Sequence, residues 1–130
     1  MYEYKVDRVV RVVDGDTIDI IIDLGFGLSK KERVRVAGID TPEKRTRDPI
    51  EKKYGLEATE FMTQLLERSK VLIVRTEKDG KYGRMLGWFY DDANHMSLNE
   101  QMIECGYAWE YDGGTKKKDF SVLDKKRINN

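Results

Sequence analysis

Two stretches of this sequence carry carboxylates that the intervening hairpin pattern draws together. Asp14-Gly15-Asp16-Thr17 and Asp40-Thr41-Pro42-Glu43 lie on either side of two strand-like segments, residues 17–24 and 31–37. The link between the segments centres near Gly27, so paired positions should sum to roughly 54. Asp16 then falls beside Gly38, close to Asp40, and Arg35 falls opposite Ile18 or Asp19. Pro42 disfavours helix at Thr41 and holds it extended, which can aim the Thr41 carbonyl at the same point. Two carboxylates, one carbonyl and no His or Cys suit a hard cation. Calcium fits best, because it tolerates irregular geometry and extra waters. Glu43 and Arg35 flank this point. Each piece alone has an ordinary explanation: a turn, a loop with a helix cap, a surface arginine. Lys81-Tyr82-Gly83-Arg84 alone is an ordinary post-turn sequence. Their convergence is what favours a site.

The elements that must hold these residues can be read in turn. Residues 4–13 are rich in valine, and the paired valines at 9–10 and 12–13 break strict alternation, which predicts a bulge or two-sided burial. In 17–24, Ile18, Ile20, Ile22 and Leu24 share one face, and Thr17, Asp19, Ile21 and Asp23 the other. In 31–37, Val34 and Val36 oppose Arg33 and Arg35. These three segments read as an antiparallel meander with a loop at Gly25-Phe26-Gly27. A helix begins between Pro49 and Leu56 and ends near Ser69, with an apolar stripe of Tyr54, Ala58, Phe61, Met62, Leu65 and Leu66. Val71–Thr76 and Met85–Tyr90 form a hairpin around Asp79-Gly80, and the second strand, apolar on both faces, should be central. Ser97-x-x-Glu100 is a capping box for a second helix that Gly106 stops. A last short helix spans about Asp119–Arg127. Five short strands, with helices only after the third, predict an α+β fold built on a five-stranded Greek-key barrel of OB type with about three α-helices.

The chain has 130 residues, a length that suits one domain over 1–130 with a basic C-terminal segment from 113 onward. Its 24 basic residues balance 24 acidic ones, but not evenly along the chain. Lys44, Arg45, Arg47, Lys52 and Lys53 cluster, as do Lys116, Lys117, Lys118, Lys125, Lys126 and Arg127, while residues 91–112 hold acids and no Lys or Arg. Such blocks are either solvated surface or a guide for a polyanion. Cys105 is the single cysteine, so no intrachain disulfide forms. It shares a helical face with Leu98 and Met102, which predicts packing rather than reactivity. His95, the single histidine, lies in a loop and is not expected to act in catalysis. Trp88 and Trp109 read as core, Trp109 less clearly. No signal peptide or membrane span is visible, so the expectation is a cytoplasmic location without membrane contact. Nothing in the sequence fixes the oligomeric state; a monomer is the default expectation.

Taken in order, Asp14-Gly15-Asp16-Thr17, Arg35, Asp40-Thr41-Pro42-Glu43, Tyr54-Gly55-x-Glu57-Ala58 and Lys81-Tyr82-Gly83-Arg84 make the chain resemble the staphylococcal nuclease (thermonuclease) family over roughly residues 5–110. The resemblance implies the same OB barrel with three helices. It also implies that Asp16, Asp40 and the Thr41 carbonyl hold calcium, with Asp14 behind them. Arg35 and Arg84 would clasp the scissile phosphate, and Glu43 would be the general base. Lys81 and Tyr82 would contact a neighbouring phosphate. The family's aromatic contacts to a base fall within Tyr107–Tyr111, with Tyr111 the choice here. Asp112-Gly113-Gly114-Thr115 departs from the family by lacking a proline in that turn, and this chain is neutral where the extracellular members are basic.

The resulting expectation is a calcium-dependent nuclease acting on DNA and RNA and leaving 3′-phosphate and 5′-hydroxyl ends. The alternative is a non-catalytic OB-type module that binds nucleic acid or protein. A binding module has no physical need for Asp16, Arg35, Asp40, Glu43 and Arg84 together.

Overall fold

The structure, a computed structural model, describes residues 2–78, 84–92 and 94–129. Three strands open the chain: β1 (Tyr2–Asp14), β2 (Thr17–Gly25) and β3 (Leu28–Val36). A two-residue strand β4 (Ile39–Asp40) and helix α1 (Pro49–Glu67) follow. Then come β5 (Leu72–Lys78), β6 (Met85–Asp91), α2 (Leu98–Glu104), a second two-residue strand β7 (Trp109–Glu110) and α3 (Phe120–Ile128). The order β1-β2-β3-β6-β5 closes into a barrel, while β4 and β7 pair separately. This is the expected five-stranded barrel with three helices. The β3–β6 pair is parallel, so the barrel is mixed.

The valine pairs of β1 mark bulges. Its register against β2 shifts between Val6 and Arg8, between Val9 and Arg11, and between Val12 and Asp14. Each bulge adds twist, which lets one long strand pair with β2 and, through Tyr2–Lys5, with β5. The alternation of β2 puts Ile18, Ile20 and Ile22 in the core. Leu24, the fourth of that face, is exposed because β2 has left the barrel by then and enters the turn. Central β6 lies between β3 and β5 and buries Phe89 completely. Its other face, with Trp88, is only half-buried.

Asp48 caps α1 by accepting from the Ile50 and Glu51 N–H groups, with Pro49 as the first helical residue. The helix buries Ala58, Met62, Leu65 and Leu66 against the barrel. The capping box of α2 is formed as expected, and Leu98 and Met102 are fully buried. Cys105 is half-buried at the cap where that helix ends, and burial pushes its thiol up. Helix α3 is docked by Leu123, by Phe120 against the Tyr54 and Trp109 rings, and by Arg127, which stacks on Tyr54 and Tyr107. No helix among the described residues is long and apolar enough to cross a membrane.

Candidate active site

The β2–β3 pairing sets the first wall of the site. Thr17 faces Arg35 and Ile18 faces Val34, a register two residues tighter than the sequence suggests. The turn closes at Gly25 and Leu28, and a shift between Asp23 and Gly25 takes up the difference. An even displacement leaves every side chain on its expected face. It does move Arg35 from the level of Ile18 or Asp19 to that of Thr17, next to Asp16. Correspondingly, the Asp16 carbonyl accepts from the Val36 N–H at 2.8 Å, so Asp16 stands level with Val36 rather than Gly38.

Arg35 is the hub. Nη1 donates to the carbonyls of Asp16 (3.3 Å) and Val36 (3.1 Å), and Nη2 to that of Ile39 (3.0 Å). The same guanidinium lies 3.4 Å from Asp16 Oδ2 and 3.9 Å from Asp40 Oδ1. The two carboxylates therefore meet around one cation, as their spacing in the chain suggests. Asp16 Oδ2 also accepts from the Thr41 N–H at 3.2 Å. Thr41, whose carbonyl is the expected ligand, thus meets Asp16 through its amide.

Two glycines let these segments touch. A Cβ on Gly15 would lie 2.9 Å from Thr41 Cγ2 and 3.0 Å from Ala58 Cβ. One on Gly55 would lie 2.6 Å from the Glu43 carbonyl carbon and 2.5 Å from Lys44 N. Both are closer than real Cβ contacts, so the Asp14–Asp16 turn and the Glu43 loop rest on α1 only because these positions lack side chains. Glu43 itself is exposed, and its N–H is tied to Glu51 Oε2 at 3.0 Å.

Burial sets the charge states. Asp14 is pushed up to about 6 by burial and by the neighbouring Asp16 carboxylate. One of its oxygens is buried with no partner, which adds to the cost of its charge. Burial also opposes the charge on Asp16, yet the bond from Asp14, the Arg35 guanidinium and Thr41 hold its carboxyl below the usual carboxylate range. Asp40 is 3% exposed.

The second wall comes from the C-terminal segment, where the sequence pointed to Tyr111 but not to the pairing or the lysine that build the wall. Strand β7 pairs with β4, Trp109 opposite Asp40 and Glu110 opposite Ile39. Trp109 is buried, and its Nε1 donates to the Asp119 carbonyl at 2.9 Å, so it serves the fold. The Tyr111 N–H donates to the Gly38 carbonyl at 2.9 Å. Lys116 Nζ then reaches back to Asp40 Oδ1 at 3.2 Å, lying over the Tyr111 ring. Lys118 Nζ reaches Glu51 Oε2 at 2.8 Å. A cavity of about 550 Å³ opens beside Asp40, with Gly38, Trp109, Tyr111, Thr115 and Lys116 in its wall. A run of three lysines was the visible signal, but nothing in it named its partners.

The remaining candidates are placed as follows. Arg84 is exposed and immediately precedes Met85, the Cα partner of Val34, so its backbone is at the β3–β6 edge. Lys81 and Tyr82, with the Asp79-Gly80 turn, lie outside the described residues. His95 is exposed in the loop before α2.

No three His, Cys, Asp or Glu side chains form a metal cluster among the described residues. Two nearly buried carboxylates with main-chain oxygens nearby are a poor donor set for a transition metal and a suitable one for calcium, which completes its shell with water.

Barrel, cleft and charge together define an OB-type barrel with an acid-and-arginine site at one end. The chain belongs to the family of staphylococcal nuclease homologues, whose model matches residues 33–127. It is similar to an "uncharacterized endonuclease" of Escherichia coli O157:H7, 37% identical over 105 residues, which covers 81% of this chain and 60% of that protein. A "micrococcal nuclease" of Shigella flexneri is 33% identical over 80% of this chain and 57% of its own length. "Endonuclease YncB" of Bacillus subtilis strain 168 is 31% identical over 88% and 54%. The chain thus spans 60% or less of the length of these relatives.

Proposed function

We propose that this chain is a calcium-dependent nuclease that hydrolyses phosphodiester bonds of DNA and RNA to 3′-phosphate and 5′-hydroxyl ends. The observation that carries the reading is the meeting of Asp16 and Asp40 around Arg35. The family membership and the names of the relatives point the same way.

Asp16, Asp40 and the Thr41 carbonyl would hold the calcium. When bound, the ion would polarise a phosphoryl oxygen and orient water. Arg35 has Nη1 engaged with two carbonyls and Nη2 with one. Among the described residues its Nε makes no hydrogen bond, so that edge of the planar fork is the one left for a phosphate oxygen. Because the backbone fixes this fork, it needs little reorganisation as charge builds on the phosphate. Arg84 would meet the phosphate from the β6 edge, and Glu43 would take the proton of the attacking water. Asp14 would support Asp16. Lys81 and Tyr82 would hold the next phosphate, and Tyr111 would face a base. Attack by water needs no 2′-hydroxyl, so DNA and RNA both qualify as substrates. Which oxygen leaves follows from the family resemblance, not from these residues.

The test is digestion of short labelled DNA and RNA in calcium, in magnesium and in chelator, followed by end-group analysis. Both polymers should be cut in calcium to 3′-phosphate ends, poorly in magnesium and not in chelator. Full turnover in magnesium alone would reject calcium. Products with 5′-phosphates would reject the proposed bond cleavage. Binding without cleavage in every condition would leave the non-catalytic module as the correct reading.

A further inference from the structure

We propose that Lys116 sets the divalent-cation affinity of the site: its ammonium and the cation compete for Asp40, and cation entry releases the segment that carries it. The inference rests on the calcium reading above. Lys116 Nζ sits 3.2 Å from Asp40 Oδ1, the oxygen that also lies 3.9 Å from Arg35. The Asp40 side chain is 4% exposed, so a cation reaching that oxygen must come from the cleft side that Lys116 occupies.

Charge makes the competition direct. Asp16 and Asp40 carry two negative charges, and Arg35 and Lys116 carry two positive ones. With Lys116 in place these four charges cancel, so the pull on a divalent ion is weaker than without it, whatever charge Asp14 beside them carries. With Lys116 withdrawn, one negative charge is uncovered beside the open cavity. Arg35 cannot make the same exchange, since its departure would strand three carbonyls.

The chain is built to let Lys116 go. It lies in residues 111–119, which form neither helix nor strand, and its side chain is 43% exposed. Both ends of this strap are pinned: the Tyr111 N–H to the Gly38 carbonyl, and the Asp119 carbonyl to Trp109 Nε1, each at 2.9 Å. Releasing the lysine therefore moves the strap without undocking α3. Lys117, its neighbour, lines the same cavity and has no ion-pair partner among the described residues, which makes it the natural control.

The experiment is calorimetric titration of calcium into the nucleic-acid-free protein at fixed ionic strength, comparing the wild type with Lys116→Gln, Lys116→Arg and Lys117→Gln. Lys116→Gln should bind calcium roughly fivefold more tightly, the upper end of what a half-exposed ion pair is worth. Lys116→Arg, which keeps the charge, should stay close to the wild type. Lys117→Gln should change affinity by about twofold or less, because its charge acts only through screened distance. An unchanged or weakened affinity in Lys116→Gln, with calcium still binding the wild type, would overturn the competition and leave the calcium site standing. An equal gain in Lys117→Gln would show a general field effect, and a gain in Lys116→Arg as large as in Lys116→Gln would show that the charge at this position is not what competes; either would overturn the competition as well. Absence of calcium binding in both the wild type and Lys116→Gln would sink the calcium reading and this inference with it.

Discussion

Arg35 and Lys116 both stand against Asp40, but they are held there by different means. Arg35 rides on β3, which is paired on one side with β2 and on the other with β6. Its side chain is 14% exposed and bonds three main-chain carbonyls. Lys116 rides on a segment outside any helix or strand and is held by one ion pair and the Tyr111 ring. The first cation is fixed by the barrel itself. The second is exchangeable at the cost of a partly solvated contact. A group that must match a phosphate as charge builds on it gains from fixity, because reorganisation would subtract from its effect. On the proposed reading, a group that competes with a cation for Asp40 gains from being replaceable. The cleft joins one wall of each kind.

The largest expected effect tests the fixed wall. Arg35→Lys keeps the charge but loses the planar fork and the ability to bond several carbonyls at once. We expect nuclease activity to fall by about a hundred- to a thousandfold, the usual result of removing one transition-state donor. The circular dichroism spectrum should remain that of the folded protein. Near-native rates in the folded variant would mean that Arg35 braces the 36–40 turn and does not touch substrate.

The next effect lies beneath that wall. Asn99, 3% exposed, accepts from the Phe89 N–H at 3.0 Å and donates to the Ala37 and Gly87 carbonyls at 2.7 and 3.0 Å. It thereby locks α2 to the place where β3 leaves the barrel towards Asp40. Asn99→Ala strands two buried backbone groups, the Phe89 N–H and the Ala37 carbonyl, while the Gly87 carbonyl keeps the Ala37 N–H at 2.9 Å; we expect a loss of about 2–4 kcal/mol in unfolding free energy by denaturant melt. A loss below about 1 kcal/mol would mean that water or backbone movement replaces these bonds and that the wall is less fixed than drawn.

These two walls were not equally legible in the sequence. Parity of register, the Ile18–Ile22 face, the Ser97 capping box and the α1 stripe all follow from local periodicity or spacing. The meeting of Asp16 and Asp40 followed from hairpin symmetry, though a two-residue error in that symmetry misplaced Arg35. The β4–β7 ladder has two residues per strand and so no period to read. Asn99 bonds a carbonyl 62 positions away, and no short pattern encodes such a contact. Lys116 and Lys118 were visible as charges. With 24 basic and 24 acidic residues, however, charge alone could not choose their partners.

The smallest expected effect concerns the exchangeable wall. Lys118 holds Glu51 Oε2 at 2.8 Å, and that oxygen also accepts from the Glu43 N–H. The pair is partly solvated, with side-chain exposures of 31% and 15%. Lys118→Gln should therefore lower unfolding free energy by only about 0.5 kcal/mol near neutral pH, as exposed ion pairs do. The sign of its pH dependence is fixed. Burial favours the neutral form of Glu51, but the Lys118 bond and the Glu43 N–H outweigh it and hold the folded carboxyl below its ordinary 4.5. A depressed carboxyl stabilises the fold above the unfolded value, and that stabilisation fades as pH falls through the folded one. The gap between wild type and Lys118→Gln should thus be full at neutral pH and shrink as pH drops below 4.5. Thermal melts of both proteins across that range measure it. A gap above about 2 kcal/mol, outside the range for a solvated pair, would make this wall as firmly built as the other. A gap that widens in acid would mean that Lys118 acts through some partner other than Glu51.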